Sequence, residues 1–189
     1  MLLYNIPMLK IVTVPNIILT TPVKPVISFD GSLQNLIGEM AVTLKAQVDP
    51  QGVGLAATQV AKNISVFIMK PKPKSPIKIF INPKILECVN LQIRNKIIKN
   101  KSHKKNRTPL EGCLSIPRIW SPIKRPKKLL LQYQTETGEQ KTEWFKDFEA
   151  VIIQHEVDHL NGILFTQRAL EQNSTLFEEK NGKLKKMEY

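Results

Sequence analysis

His155-Glu156-Val157-Asp158-His159 sets two imidazoles four residues apart, with a carboxylate directly after the first. In a helix of 3.6 residues per turn, positions i and i+4 stack on one face, so both rings can reach one metal ion. Glu156 sits one step round the helix, near enough to work on a metal-activated water without being a ligand. The competing reading is an amphipathic helix carrying two surface histidines. The flanks oppose it, because Val151-Ile152-Ile153 and Leu160 are apolar. Two neutral histidines and two acids in a half-buried turn would be costly without a partner.

A catalytic metal site needs a third protein ligand and keeps its fourth position for water. Two kinds of residue could supply that ligand. One is Cys113, within Glu111-Gly112-Cys113-Leu114-Ser115; the other is a downstream acid, Glu178 or Glu179, as in thermolysin-like zinc peptidases. A further segment, Gly52-Val53-Gly54-Leu55-Ala56-Ala57-Thr58-Gln59, has small residues that let a ligand approach the backbone. Its last residue, Gln59, carries an amide able to donate a hydrogen bond to an oxyanion.

These two segments, together with Gln154-His155-Glu156-Val157-Asp158-His159-Leu160-Asn161-Gly162, resemble the three motifs of the peptide deformylases, in that family's order. The resemblance covers about residues 8 to 170 and includes Leu9-Lys10-Ile11-Val12, Pro15 and the Phe29-Asp30 entry to the first helix. It implies removal of the N-terminal formyl group from formyl-methionyl peptides as they are made on the ribosome. It also implies Cys113, His155 and His159 as metal ligands. The family commonly uses Fe(II), and Zn(II) or Ni(II) can take the same site; a thiolate ligand suits such first-row metals without selecting among them. In the mechanism that follows, hydroxide generated at the metal attacks the formyl carbon while Glu156 takes the proton and returns it to the departing amine. The resemblance assigns the oxyanion donors to the Gln59 side chain and the Leu114 backbone N–H. The peptide is expected to lie as an added strand along Gly54, with Val53 and Gly112 also in contact with it. Phe148, Val151 and Ile152 precede His155 by 7, 4 and 3 residues, share its helical face, and are candidates for an apolar slot holding the methionine side chain. Their other reading is ordinary core packing.

Glu111 and Arg125 match polar positions near the family's site and are expected to be structural or substrate-orienting. Asp158 is expected to orient a ligand histidine or pair with a basic residue. Cys88, in a strand-like apolar run, is expected to be a buried thiol. The chain departs from the family's pattern at Arg118-Ile119-Trp120-Ser121-Pro122 and in a longer interval between Gly54 and Cys113.

The elements that must carry these residues can be read from periodicity. Asp30-Gly31-Ser32 offers helix-start chemistry, and Leu33, Leu36, Ile37, Met40, Ala41 and Leu44 predict a helix over about 32–47. Strands are expected at 64–69, 77–81 and 85–89, the last two separated by Asn82-Pro83, with a hairpin of 129–134 and 139–145. Asp147 is expected to cap the metal helix over about 147–160, and Asn161-Gly162 to close it. Strands first and a metal helix late, without an alternating strand-helix rhythm, argue for an α+β fold rather than a parallel α/β sheet, and the resemblance implies mixed or antiparallel sheets packed around that helix.

At 189 residues the chain is expected to be one catalytic domain, with a core over about 8–170, a basic insertion at about 92–109 and a charged tail from about 172 that is helical or frayed. No apolar run approaches the roughly 20 residues of a membrane helix. Met1 to Pro7 show no basic n-region or long apolar run, so a cytoplasmic protein is expected. Two cysteines make no disulfide framework. The net charge of +12 concentrates at residues 94–107, at Lys124, Arg125, Lys127 and Lys128, and at Lys183, Lys185 and Lys186. Such patches suit ribosome or RNA contact, against the plainer reading of solvated loops. A basic RNA-binding protein with a structural metal is the non-enzymatic alternative; an intact Glu156 argues against it.

Overall fold

The computed structural model describes residues 6–89 and 108–188. The basic insertion expected at about 92–109 therefore lies, but for its last two residues, outside the described residues, as does His103. Helix α1 spans Gly31–Ala46 and starts where Asp30 accepts from the N–H groups of Ser32 and Leu33 at 2.9 and 3.2 Å. Those bonds satisfy donors that the first turn of a helix leaves free.

Five antiparallel strands form the larger sheet, in the order β1 (Gly54–Ala56), β2 (Val66–Met69), β3 (Lys78–Val89), β6 (Lys128–Gln134) and β7 (Gln140–Lys146). All four residues of β2 are buried, as expected of a strand covered on both faces. Alternation separates them: Phe67 and Met69 join Phe80, Leu129, Leu131 and the helix α2 (Asp147–Leu160) in one core cluster. Val66 and Ile68 join Leu33, Ile37, Met40 and Leu44 of α1 in another. The sheet is thus sandwiched between α1 and α2. Phe80 anchors the α2 side, stacked on Phe67 at 4.6 Å between ring centroids.

The second sheet orders β4 (Leu110–Cys113), β5 (Ile116–Pro122), β8 (Phe177–Lys180) and β9 (Lys183–Lys186), again antiparallel. A short helix, α3 (Phe165–Glu171), covers it through Phe165 and Ala169, which cluster with Cys113, Ile116, Ile123 and Leu176. This α+β arrangement of antiparallel sheets around α2 is the fold class expected. No helix among the described residues is long and apolar enough to cross a membrane.

Several local expectations are corrected. Residues 77–81 and 85–89 are one strand, not two: Asn82, at φ 50°, makes a bulge that absorbs the break while its side chain bonds both backbone groups of Val26. Cys88 is exposed rather than buried: it pairs with the buried Leu129, but of residues 84–89 Ile85 is the one that packs against the core, and residues 86–88 are exposed. Asp147 is not the cap of α2; Lys146 is, with no side-chain bond. Asp147 instead sits at φ 54° with its N–H on the Lys127 carbonyl at 2.7 Å, which commits its backbone to joining the helix to the sheet. Gly162 does close α2, at φ 72°. The charged tail is neither helical nor frayed after α3. It forms the β8–β9 hairpin around Asn181-Gly182, whose φ values of 52° and 71° suit a tight hairpin turn.

Candidate metal centre

Helix α2 and strand β4 are well separated in the chain, Glu111 standing 44 residues before His155, yet they meet. Ligand atoms of Cys113, His155 and His159 all lie within 4.8 Å of one another. Cys113 Sγ is 3.1 Å from His159 Nε2, and the two imidazoles are 4.9 Å apart at their centroids. Such a cluster is compact enough for one ion at ligand bonds of roughly 2.0–2.3 Å. A thiolate with two imidazoles is also a donor set suited to a divalent first-row metal. The residues therefore fit a metal ion. Glu178 and Glu179 stand outside the cluster: Glu178 pairs with Lys180, and Glu179 with Trp120 and Arg118. The zinc-endopeptidase ligand set loses its third member.

The electrostatics follow from the crowding of these groups. Burial raises the Cys113 thiol, but facing His159 and His155 outweigh it and bring the pKa to about 5. Burial would lower His155, yet Cys113 and Glu111 beside it hold it well above the ordinary histidine range. Glu156 is raised to about 7 by burial, against the lowering effect of the two histidines. Its Oε2 is buried without a hydrogen-bond partner, an acceptor still available for a proton.

Behind the ligands stands a chain of charge-assisted bonds. His155 Nδ1 bonds Glu111 Oε1 at 2.7 Å, which turns its other nitrogen toward Cys113. Arg125 grips both Glu111 oxygens at 2.7 Å and reaches Asp158 at 2.8 Å. Asp158 in turn receives Arg168 of α3 at 2.7 Å. Burial alone would raise Glu111; the bonds from Arg125 and His155 reverse that and hold it at about 2. Asp158 thus takes the basic partners expected for it, while the residue orienting the histidine is Glu111.

Gln59 lies in the one-turn 3-10 helix Ala57–Val60 after β1. Its Oε1 accepts from Ala56 N at 2.9 Å, so Nε2 faces Ser115 Oγ at 3.3 Å and Cys113 Sγ at 3.5 Å. Leu114 follows Cys113 in the turn between β4 and β5. The extended N-terminal segment ties the two sides together, Val12 donating to the Gln59 carbonyl and Val14 to that of Ser115. Gly54 packs directly against Glu156; a side-chain carbon there would collide with the carboxylate. Gly112 lies against Trp120, with no room for a side chain. Val53 is half-buried beside the α2-side core.

Among the proposed slot residues, Ile152 is buried in the α2-side core cluster, Val151 is half-buried and Phe148 is exposed at the start of the helix. Three contributors escape sequence reasoning. Ser115 fixes Gln59, Phe165 sits 6.2 Å from the His155 ring, and Arg168 completes the ion-pair chain. Ser115 alone had a signal, its place in a motif; the others come from α3, whose role is set by tertiary contact.

Comparisons with known proteins point to one family. A family model described as polypeptide deformylase matches residues 8–175. A peptide deformylase of Dictyoglomus turgidum is 38% identical over 163 residues, covering 86% of this chain and 93% of that one. One from Desulfotalea psychrophila is 31% identical over 176 residues, covering 91% and 94%. Among solved structures, the Thermotoga maritima peptide deformylase is similar at a TM-score of 0.71 and 34% identity, covering 85% of this chain and 97% of that one. A Synechococcus elongatus peptide deformylase in complex with actinonin reaches 0.71 at 30% identity, covering 86% and 80%.

Proposed function

The chain belongs to the polypeptide deformylase family and is an enzyme that removes the N-terminal formyl group from nascent peptides, and from that premise we propose how its residues divide the work. Cys113, His155 and His159 hold the metal. The observation that carries this reading is their convergence within 4.8 Å beside a buried carboxylate. A bound ion would acidify a water to supply hydroxide near neutral pH and polarise the formyl oxygen. Glu156 accepts the water's proton and hands it to the departing amine, so that the C–N bond breaks and formate leaves with the new C–O bond. Gln59 Nε2 and the Leu114 N–H donate to the oxygen that becomes negative. With Oε1 tied to Ala56 N, the Gln59 amide is aimed in advance.

Strand β1 is an edge of the larger sheet and β4 an edge of the smaller one. Edge groups suit a peptide added as a strand along Gly54, with Val53 and Gly112 flanking it. Phe148, Val151 and Ile152 form the methionine slot on the His155 face of α2, and formyl-methionyl peptides are the preferred substrate. Fe(II) is the proposed native metal, with Zn(II) or Ni(II) able to occupy the same ligands. One catalytic domain spans 1–189 and works in the cytoplasm. The lysines and arginines of 94–107, with Lys124, Lys127, Lys128 and the C-terminal hairpin, contact the ribosome; deletion of 94–107 that left co-sedimentation with ribosomes intact would remove that segment from the contact. Arg125 does not belong to this patch, since Glu111 and Asp158 bury its charge.

The primary test is formate release from formyl-Met-Ala-Ser by protein prepared anaerobically with Fe(II), beside a chelator-treated control. Release that depends on the metal and disappears in Cys113→Ser supports the assignment. Undiminished turnover in Cys113→Ser would refute it.

A further inference from the structure

The C-terminal hairpin pairs with β5 at Trp120 and Phe177, and the Trp120 indole reaches Gly112, the neighbour of Cys113. Gly112 and Trp120 face each other across β4 and β5. A side-chain carbon at Gly112 would fall 2.7 Å from indole Cε3 and Cζ3, so the ring fills the space that glycine leaves open. The indole N–H donates to Glu179 Oε2, on β8, at 3.0 Å. The other Glu179 oxygen accepts from Arg118 at 3.3 Å, and Arg118 also pairs with Asp49, ahead of β1, at 3.0 Å. One residue beyond Gly112 the register with β5 shifts, Gly112 facing Trp120 but Cys113 facing Ile116. At such a bulge the regular ladder is disrupted. The ladder therefore leaves the direction of the chain at Cys113 to neighbouring contacts, among them the indole packed on Gly112.

We propose that Trp120, held by Glu179 of the C-terminal hairpin, is a positioning residue that sets where Gly112-Cys113-Leu114 presents its thiolate and its Leu114 N–H. The proposal rests on the reading of Cys113 as a metal ligand. It makes the β8–β9 hairpin a working part of the centre rather than a cover over the small core. Neither Trp120 nor Glu179 touches the reacting atoms; they act through Gly112.

Cobalt(II) is the probe, because a cysteine thiolate on cobalt gives a charge-transfer absorption band and the other ligands do not. Wild type, Glu179→Leu, Glu179→Gln and Trp120→Phe would be titrated with Co(II) and assayed with formyl-Met-Ala-Ser. The amide introduced by Glu179→Gln can still accept from the indole. The side chain introduced by Glu179→Leu cannot, and the ring introduced by Trp120→Phe has no N–H to donate. The expected result is a loss of cobalt affinity on the order of tenfold, as for outer partners of metal ligands, in both Glu179→Leu and Trp120→Phe. The charge-transfer band should shift and kcat fall in parallel, with KM changing less than about twofold. Glu179→Gln should retain most of the affinity, and the Glu179→Leu/Trp120→Phe double variant should be no worse than either single one. Should Glu179→Leu fail to fold, Trp120→Phe carries the same test. Variants that unfold at lower temperature but keep wild-type cobalt affinity, band and kcat would overturn the proposal, leaving the contact as packing alone. No charge-transfer band in the wild type would instead overturn the ligand assignment beneath it.

Discussion

Glu156 concentrates the chemistry and the cost of the centre in one side chain. Buried, with one oxygen lacking a partner, it has a pKa of about 7 in the metal-free fold. A folded value above the ordinary 4.5 means that the folded state binds the proton more tightly than the unfolded chain. The contribution of Glu156 to the stability of the metal-free protein should therefore fall as pH rises from about 4.5 to 7 and then level. Glu156→Gln removes that penalty. In chelator-stripped protein it should gain stability across that window, reaching about 3 kcal/mol above pH ~7, readable by denaturant unfolding at the two ends of the window. With metal loaded, the same variant should keep fold and metal but lose turnover by roughly 10²–10⁴-fold, the usual range of a general acid-base contribution; near wild-type formate release would mean that another group moves the proton. Gly54→Ala tests the same carboxylate from the other side. The added methyl must displace Glu156, so activity should fall while Cys113, His155 and His159 still bind metal, as a metal-content measurement on the variant would report.

At the scale of elements, α2 and β4 are joined less by apolar packing than by Glu111, Arg125 and Asp158. Their side chains are each about 10% exposed or less. Removing one partner of such a buried set leaves an uncompensated charge and is strongly destabilising. Glu111 is the member that also reaches a ligand. Its folded pKa of about 2 lies below the ordinary 4.5, so its contribution is fully present above pH 4.5 and lost as pH falls toward 2. Glu111→Gln should flatten acid unfolding in that window. It should also weaken metal binding by roughly 10–100-fold through His155. A variant with wild-type metal affinity would show that His155 needs no such partner.

For the whole molecule, metal binding and folding are linked, because the three ligands come together only when β4 reaches α2. An ion bound to the native state and not to the unfolded chain raises the unfolding temperature in proportion to the logarithm of its concentration over Kd. Thermal unfolding with and without Fe(II) or Zn(II), under anaerobic conditions for iron, should show that rise in wild type and in Glu178→Gln. The rise should vanish in His155→Ala and His159→Ala. A rise retained in the histidine variants would place the ion elsewhere.

The sequence by itself determined the parts whose information is local. Histidines four apart need only helical geometry to share a face, and α1 and α2 follow apolar periodicity with clear start or stop residues. Alternation marked β6 and β7. Cys113, Gln59 and Leu114 are marked by the motifs they stand in. What the tertiary structure alone decided involves residues distant in sequence whose meeting leaves no periodic trace. Glu111, 44 residues from His155, became the group that orients it; Arg168 and Phe165 entered from α3; and Cys88 came to the surface although its partner across the ladder, Leu129, is buried. The hairpin of residues 177–186 was hidden by its charges, which mask the alternation of a strand, although Asn181-Gly182 is a strong turn signal. Distance in the chain erases such partnerships from the sequence, since only the packing of two sheets around α2 decides which buried charges must neutralise one another.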